Sequence, residues 1–177
     1  MILFTGVAGA GKSVQGRRLA DDLGYPWLST GEFLRMMVSG QRRHDMVSGK
    51  LLGDEEIIEL VDKIFRVIDP KEESILDGFP RTLPQTEWLI AQHKAGLVPV
   101  SCVVHLSASE SVVAERLLAR GRQDDTEESI KQRFAEYQAV TMPILERYKA
   151  EGIPVYEIDA AQDPDTVYAQ IRAKLAA

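Results

Sequence analysis

Gly6-Val7-Ala8-Gly9-Ala10-Gly11-Lys12-Ser13 follows the apolar run Met1 to Thr5 and opens a helical pattern, and its reading decides the fold. It is a complete G-x-x-x-x-G-K-S pattern, placed strand first and helix second. The glycines let the backbone turn so that successive N–H groups face one point, and the helix start adds partial positive charge there. Lys12 brings a mobile full charge. A turn alone needs neither the lysine nor the serine, so the stretch reads as a phosphate cradle.

Outward from this cradle, short branched apolar runs alternate with longer helical patterns, the rhythm of a parallel α/β sheet. The expected strands are Met1 to Thr5, Trp27 to Ser29, Ser74 to Asp77, Ser101 to Leu106 and Pro154 to Ile158. Helical patterns run over Gly11 to Leu23, Gly31 to Val38, Asp54 to Val67, Leu83 to Ala95, Ser109 to Ala119, Thr126 to Ala150 and Pro164 to Leu175. The longest contains Pro143, which predicts a bend. The expected fold is a P-loop NTPase-type three-layer α/β/α architecture with a five-stranded parallel sheet, one domain over residues 1–177. Two stretches break the alternation, Gly31 to Val67 and the linker Arg120 to Asp125, and interruptions at a sheet edge often carry function. No internal repeat or low-complexity tract appears.

Composition narrows the chemistry. With 177 residues, 45% of them hydrophobic, the chain can bury a core. A formal charge of −6 argues against coating nucleic acid or an anionic membrane, so phosphate chemistry must be confined to a pocket. Met1-Ile2-Leu3-Phe4 is too short for a leader, and the expected location is cytoplasmic. Cys102 is the single cysteine and lies in an apolar run, which predicts a buried structural thiol. His44, His93 and His105 show no ligand spacing and receive no catalytic or metal role. Met36 and Met37 are expected to pack a helix.

A P-loop indicates a nucleoside triphosphate and leaves the acceptor open. The later motifs are Ser29-Thr30-Gly31-Glu32-Phe33-Leu34-Arg35, Gly49-Lys50-Leu51, Asp77-Gly78-Phe79-Pro80-Arg81-Thr82 with Gln85, Glu115 to Arg122, Asp124-Asp125 and Arg133. In order and spacing the chain resembles the adenylate kinase family along nearly its whole length. The resemblance implies reversible phosphoryl transfer from MgATP to AMP giving two ADP, by a monomer, with a helical NMP-binding insertion over residues 30–59 and a very short lid over 120–126.

It also implies roles. Lys12, Arg81, Arg116, Arg122 and Arg133 would be catalytic. ATP would meet Gly9, Ala10, Gly11, Lys12, Ser13, Val14, Arg116, Arg120 and Gln162. AMP would meet Thr30, Gly31, Arg35, Leu52, Gly78, Arg81, Gln85, Arg122 and Arg133. Mg²⁺ would sit near Ser13 and Asp77, in part through water.

The residues themselves agree while leaving alternatives. A guanidinium at Arg81, after a strand whose carboxyl end lies beside the P-loop, suits a phosphate. The Gln85 amide both donates and accepts along one edge, as adenine requires. Thr30 also fits a helix cap, Arg35 and Gln85 also fit solvated helix positions, and Asp77 also fits a strand end. Asp125 with Glu128 fits a capping box as well as it fits an arginine holder. Phosphoryl transfer needs alignment and charge neutralisation more than covalent chemistry, which matches this inventory.

Two features depart from the family. Its common members read Gly-Lys-Gly-Thr where this chain has Gly11-Lys12-Ser13-Val14, and the lid keeps only Gly121, Arg122 and Gln123 between its flanks. Lid closure, for which adenylate kinases are a standard example of a gating step, is therefore expected to fall mainly to the acceptor-side helices. Three other readings stand beside the first: a UMP or CMP acceptor, a non-catalytic nucleotide-binding regulator, and a P-loop kinase for an unrelated metabolite. Thr30 with Gln85 favours AMP, since family members selective for pyrimidines tend to carry alanine at the first position.

Overall fold

The computed structural model describes residues 1–37, 39–40, 53–70 and 72–176. Its sheet is built from β1 (Ile2–Gly6), β2 (Trp27–Ser29), β3 (Ile75–Asp77), β4 (Cys102–Ser107) and β5 (Val155–Asp159), all parallel in the order β2-β3-β1-β4-β5. The strand after β1 lies to one side of it and β4 to the other, so the chain reverses direction at β1. Ligands of such sheets bind at the carboxyl ends beside that reversal.

Side chains alternate across the strands, and the alternation assigns the helices to two layers. Leu3, Leu76 and Val103 face a core completed by α3 (Asp54–Val67), α4 (Leu83–Lys94) and α7 (Pro143–Ala150). Ile2, Phe4, Val104 and Leu106 face α1 (Lys12–Leu23), α5 (Glu110–Arg120) and α8 (Pro164–Leu175). Fully burying each such leucine or valine contributes about 1.5–3 kcal/mol. The three layers and five parallel strands agree with the sequence reading.

Helix starts follow side-chain chemistry. Thr82, Ser109, Thr126 and Asp163 each accept a backbone N–H as N-caps of α4, α5, α6 (Glu127–Glu136) and α8. Thr126 therefore fills the cap position that the sequence left open for Asp125, and the capping-box reading is corrected. The predicted helix from Thr126 to Ala150 is broken before Pro143 by a π-helical turn, Tyr137–Thr141, and α7 then starts with Pro143 at its first position. Met36 in α2 (Thr30–Met37) is 75% exposed, so the expected packing role does not hold for it. Cys102 is buried, and burial pushes its thiol up to about 11. Among the described residues no helix is long and apolar enough to cross a membrane.

Candidate functional site

The P-loop joins β1 to α1 across the reversal point. Gly9 has φ +87, and a Cβ there would stand 2.9 Å from the Leu117 side chain, so only glycine allows the loop to lie this close to α5. Helix α1 begins after Gly11 with no side-chain cap and no acidic residue in its first turn. Its leading N–H groups are left for an anion.

Lys12 is folded back on the loop, its Nζ donating to the carbonyls of Gly6 at 2.7 Å and Val7 at 2.9 Å. Burial lowers its pKa to about 8, with Asp77 opposing the shift and Arg81 and Arg120 adding to it. Ser13 donates to Asp77 Oδ2 at 2.8 Å, and Asp77 is buried at the carboxyl end of β3. Among the described residues no cluster of three or more metal-ligating side chains occurs. A hydroxyl beside one carboxylate fits an ion held chiefly by phosphate oxygens and water, which is how Mg²⁺ commonly binds with nucleotides.

On the acceptor side, Thr30 donates through Oγ1 to the Asp77 carbonyl at 3.2 Å, while Ser29 caps the start of α2 by accepting the Glu32 N–H at 3.4 Å. Gly78 takes φ +83, and a Cβ there would come within 3.1 Å of both Arg81 Nη2 and Thr30 Oγ1. Arg81 Nε donates to the Gly78 carbonyl at 2.8 Å, and the Thr141 hydroxyl of the π-helical turn donates to the Arg81 carbonyl at 2.9 Å. Arg81 is exposed and lines the cavity. Protein closing around it lowers its pKa, with Arg133 and Arg35 contributing in the same direction and Asp77 opposing. Arg35 is lowered likewise, by burial first and then by Arg122. Gln85 is only 2% exposed, which removes the solvated reading.

On the lid side, Arg120 grips Asp125 through two bonds of 2.9 and 2.6 Å, and Asp125 also accepts the Arg122 backbone N–H at 3.0 Å. Burial raises the Asp125 pKa, but these bonds outweigh it and hold the carboxyl below its usual value. Arg133 pairs with Asp124 at 2.5 Å. Arg116 spans the loop after β5, donating to the carbonyls of Ala160, Ala161 and Gln162.

One cavity of about 710 Å³ collects nearly all of the predicted site residues. Its walls include Gly9 through Val14, Thr30, Gly31, Arg35, Asp77, Gly78, Arg81, Gln85, Arg116, Arg120, Arg122, Arg133 and Gln162. Leu52, the Gly49-Lys50-Leu51 motif and His44 lie outside the described residues. The sequence reading missed Thr141 and Tyr137 on this wall, since a π-helical turn has no sequence signature, and Glu136 at the end of α6. It also missed Asp54, which reads as an ordinary acidic first-turn residue yet accepts from both Thr82 and Gln85.

A sequence model of the family described as adenylate kinase matches residues 4–153. The chain belongs to the adenylate kinase family. An adenylate kinase of Thermus thermophilus is 38% identical to it, across 98% of this chain and 96% of its own length. One from Prochlorococcus marinus is 38% identical across 86% of each chain, and adenylate kinase 1 of a Nostoc species is 34% identical across 98% of this chain and 97% of its own. Adenylate kinases are nucleoside monophosphate kinases, and the protein is an enzyme of this transferase class.

Proposed function

We propose that the protein catalyses reversible phosphoryl transfer between ATP and AMP, giving two ADP. The observation that carries this reading is the convergence of Lys12, Arg35, Arg81, Arg122 and Arg133 on one cavity of an acidic chain, beside an uncapped helix start. Such a cluster repels itself until anions fill it. Two bound nucleotides bring several phosphates into that field.

ATP takes the P-loop, with its β- and γ-phosphates on the N–H groups of Gly9 through Ser13 and on Lys12, and with its base near Arg116, Arg120 and Gln162. AMP takes the side formed by Thr30, Gly31, Arg35, Gly78, Arg81 and Gln85. In the step itself an AMP phosphate oxygen forms a bond to the γ-phosphorus while the bond to the β,γ-bridging oxygen breaks, and ADP leaves with that electron pair. No proton must move between protein groups. Arg81, Arg122 and Arg133 stabilise the charge spread over the transferring group and align the two oxygens, and Lys12 follows the γ-phosphate. Ser13 and Asp77 would hold Mg²⁺ together with ATP, in part through water, where it would supply further neutralisation of phosphate charge.

Residues 30–59 act as the NMP-binding insertion and 120–126 as the truncated lid, and the enzyme works as a cytoplasmic monomer. The deciding experiment follows ADP formation from MgATP with AMP, UMP, CMP and GMP, alongside Lys12→Met. AMP-dependent turnover that drops about 10²–10³-fold in the variant is expected for loss of one charge-stabilising donor. Turnover with a different monophosphate alone overturns the acceptor assignment, and binding of both nucleotides without turnover overturns the enzyme.

A further inference from the structure

The Gln85 amide has its orientation chosen for it. Oε1 accepts the Arg81 backbone N–H at 2.9 Å, and Nε2 donates to Asp54 Oδ1 at 2.8 Å. The same Asp54 oxygen accepts the Thr82 hydroxyl at 2.6 Å. A backbone N–H only donates and a carboxylate only accepts. A flipped amide would set NH₂ against N–H and oxygen against carboxylate, turning two attractions into two repulsions. One N–H and one lone pair of Gln85 remain, and the residue lines the cavity.

This matters because an amide free to flip is indifferent between two kinds of base. Adenine offers a ring nitrogen that accepts beside an amine that donates. Hypoxanthine and guanine, in the same pose, offer a ring N–H that donates beside a carbonyl that accepts. The pattern is reversed, and a rotated glutamine matches it as well. We infer that Asp54 is a specificity-determining positioning residue, which pins the Gln85 amide so that the acceptor site takes a purine monophosphate bearing a 6-amine and rejects the 6-oxo purines. The inference rests on the reading that AMP binds beside Gln85. Asp54 does not line the cavity and acts only through Gln85 and Thr82. It opens α3, whose Ile57 does line the cavity, so the selectivity of the site is set by a residue one turn away that is itself outside the lining.

The experiment compares kcat/KM for AMP and IMP, and their binding by calorimetry, in the wild type, Asp54→Asn, Asp54→Ser and Gln85→Ala. Sites that hydrogen-bond a substrate edge reject its mismatched analogue strongly, so the wild type should prefer AMP by about a hundredfold or more. In Asp54→Asn the new amide can donate to a flipped Gln85, and in Asp54→Ser the hydroxyl can do so. Both should lower the AMP-to-IMP ratio about tenfold, with IMP gaining in absolute kcat/KM and with KM for ATP unchanged. A merely structural defect would depress both acceptors and leave the ratio alone. Wild-type protein that binds IMP within about threefold of AMP, or a folded Asp54 variant that keeps the wild-type ratio while Gln85→Ala loses it, overturns the inference and leaves the AMP site standing. A Gln85→Ala variant with wild-type AMP affinity and ratio overturns instead the reading on which it rests.

Discussion

The two walls of the cavity hold their arginines in opposite ways. On the lid side, Arg120 and Arg133 are gripped by Asp125 and Asp124, both buried, with bonds of 2.5–2.9 Å. On the acceptor side, Arg81 is tethered through Nε to one carbonyl and sits in the repulsive field of Arg133 and Arg35. Arg120 and Arg133 are neutralised by the protein itself and stand ready without a ligand. The acceptor side is left positive, and in the proposed reading a phosphate supplies the missing counter-charge. We propose that a lid stub held by these ion pairs leaves closure mainly to the acceptor-side helices.

The largest expected effect tests the unsatisfied side. Arg81→Ala should lower kcat by about 10³-fold or more, near 4 kcal/mol, as for other arginines that stabilise phosphoryl transfer. Because burial and neighbouring arginines disfavour its charge, the melting temperature of this variant should hold or rise. A large drop in melting temperature would show that Arg81 is structural and would erase the contrast.

Asp125→Ala probes the other wall and should fail first in stability. Breaking a buried pair costs about 3–5 kcal/mol, or at least about 6–12 °C in melting temperature for a chain of this size. The sign with pH follows from the depressed Asp125 carboxyl. Its contribution is present above the unfolded value near pH ~3.9 and is lost as pH falls through the lower folded value. The gap between wild type and variant in thermal melts should therefore close at acid pH. A gap that persists there would assign the loss to packing alone.

Lys12 gives a smaller, graded effect. With its pKa at about 8 in the free protein, its neutral fraction grows above that pH, while a bound phosphate favours the charged form. ATP affinity measured by calorimetry should be flat below about pH 7 and weaken by up to about tenfold per unit above 8. The free protein should move the other way. Its folded lysine holds its proton less tightly than an unfolded one, so this group's contribution to stability rises between about pH 8 and 10.4. Affinity that stays level to pH ~10 would show that Lys12 is not the charge that meets ATP. The smallest change is expected for Val14→Thr. Val14 is 61% exposed on the cavity wall, and a hydroxyl there should raise kcat/KM no more than about fivefold, the worth of one net hydrogen bond, with little change in melting temperature.

Much of this was legible in the chain because local rules carried it. The strand, glycines, Lys12 and Ser13 of the P-loop are adjacent in sequence, and their meaning depends on adjacency. The strand pattern set the sheet, and the Asp77 to Gln85 segment marked the acceptor side by residue type. What escaped were partners chosen across long separations. Asp125 fitted a capping box equally well until Arg120 and the Arg122 N–H claimed it and Thr126 took the cap. Thr141 reaches Arg81 across 60 positions through a π-helical turn that periodicity does not announce.

By itself the sequence determined the three-layer parallel sheet, the nucleotide cradle and the set of arginines, because these rest on backbone geometry and residue chemistry within short windows. Only the tertiary structure decided which of those charges are neutralised in advance and which wait for phosphate, and that Asp54 rather than solvent faces the Gln85 amide. The reason is physical: a hydrogen bond between α3 and α4, 31 positions apart, exists only once both helices have packed on the same face of the sheet.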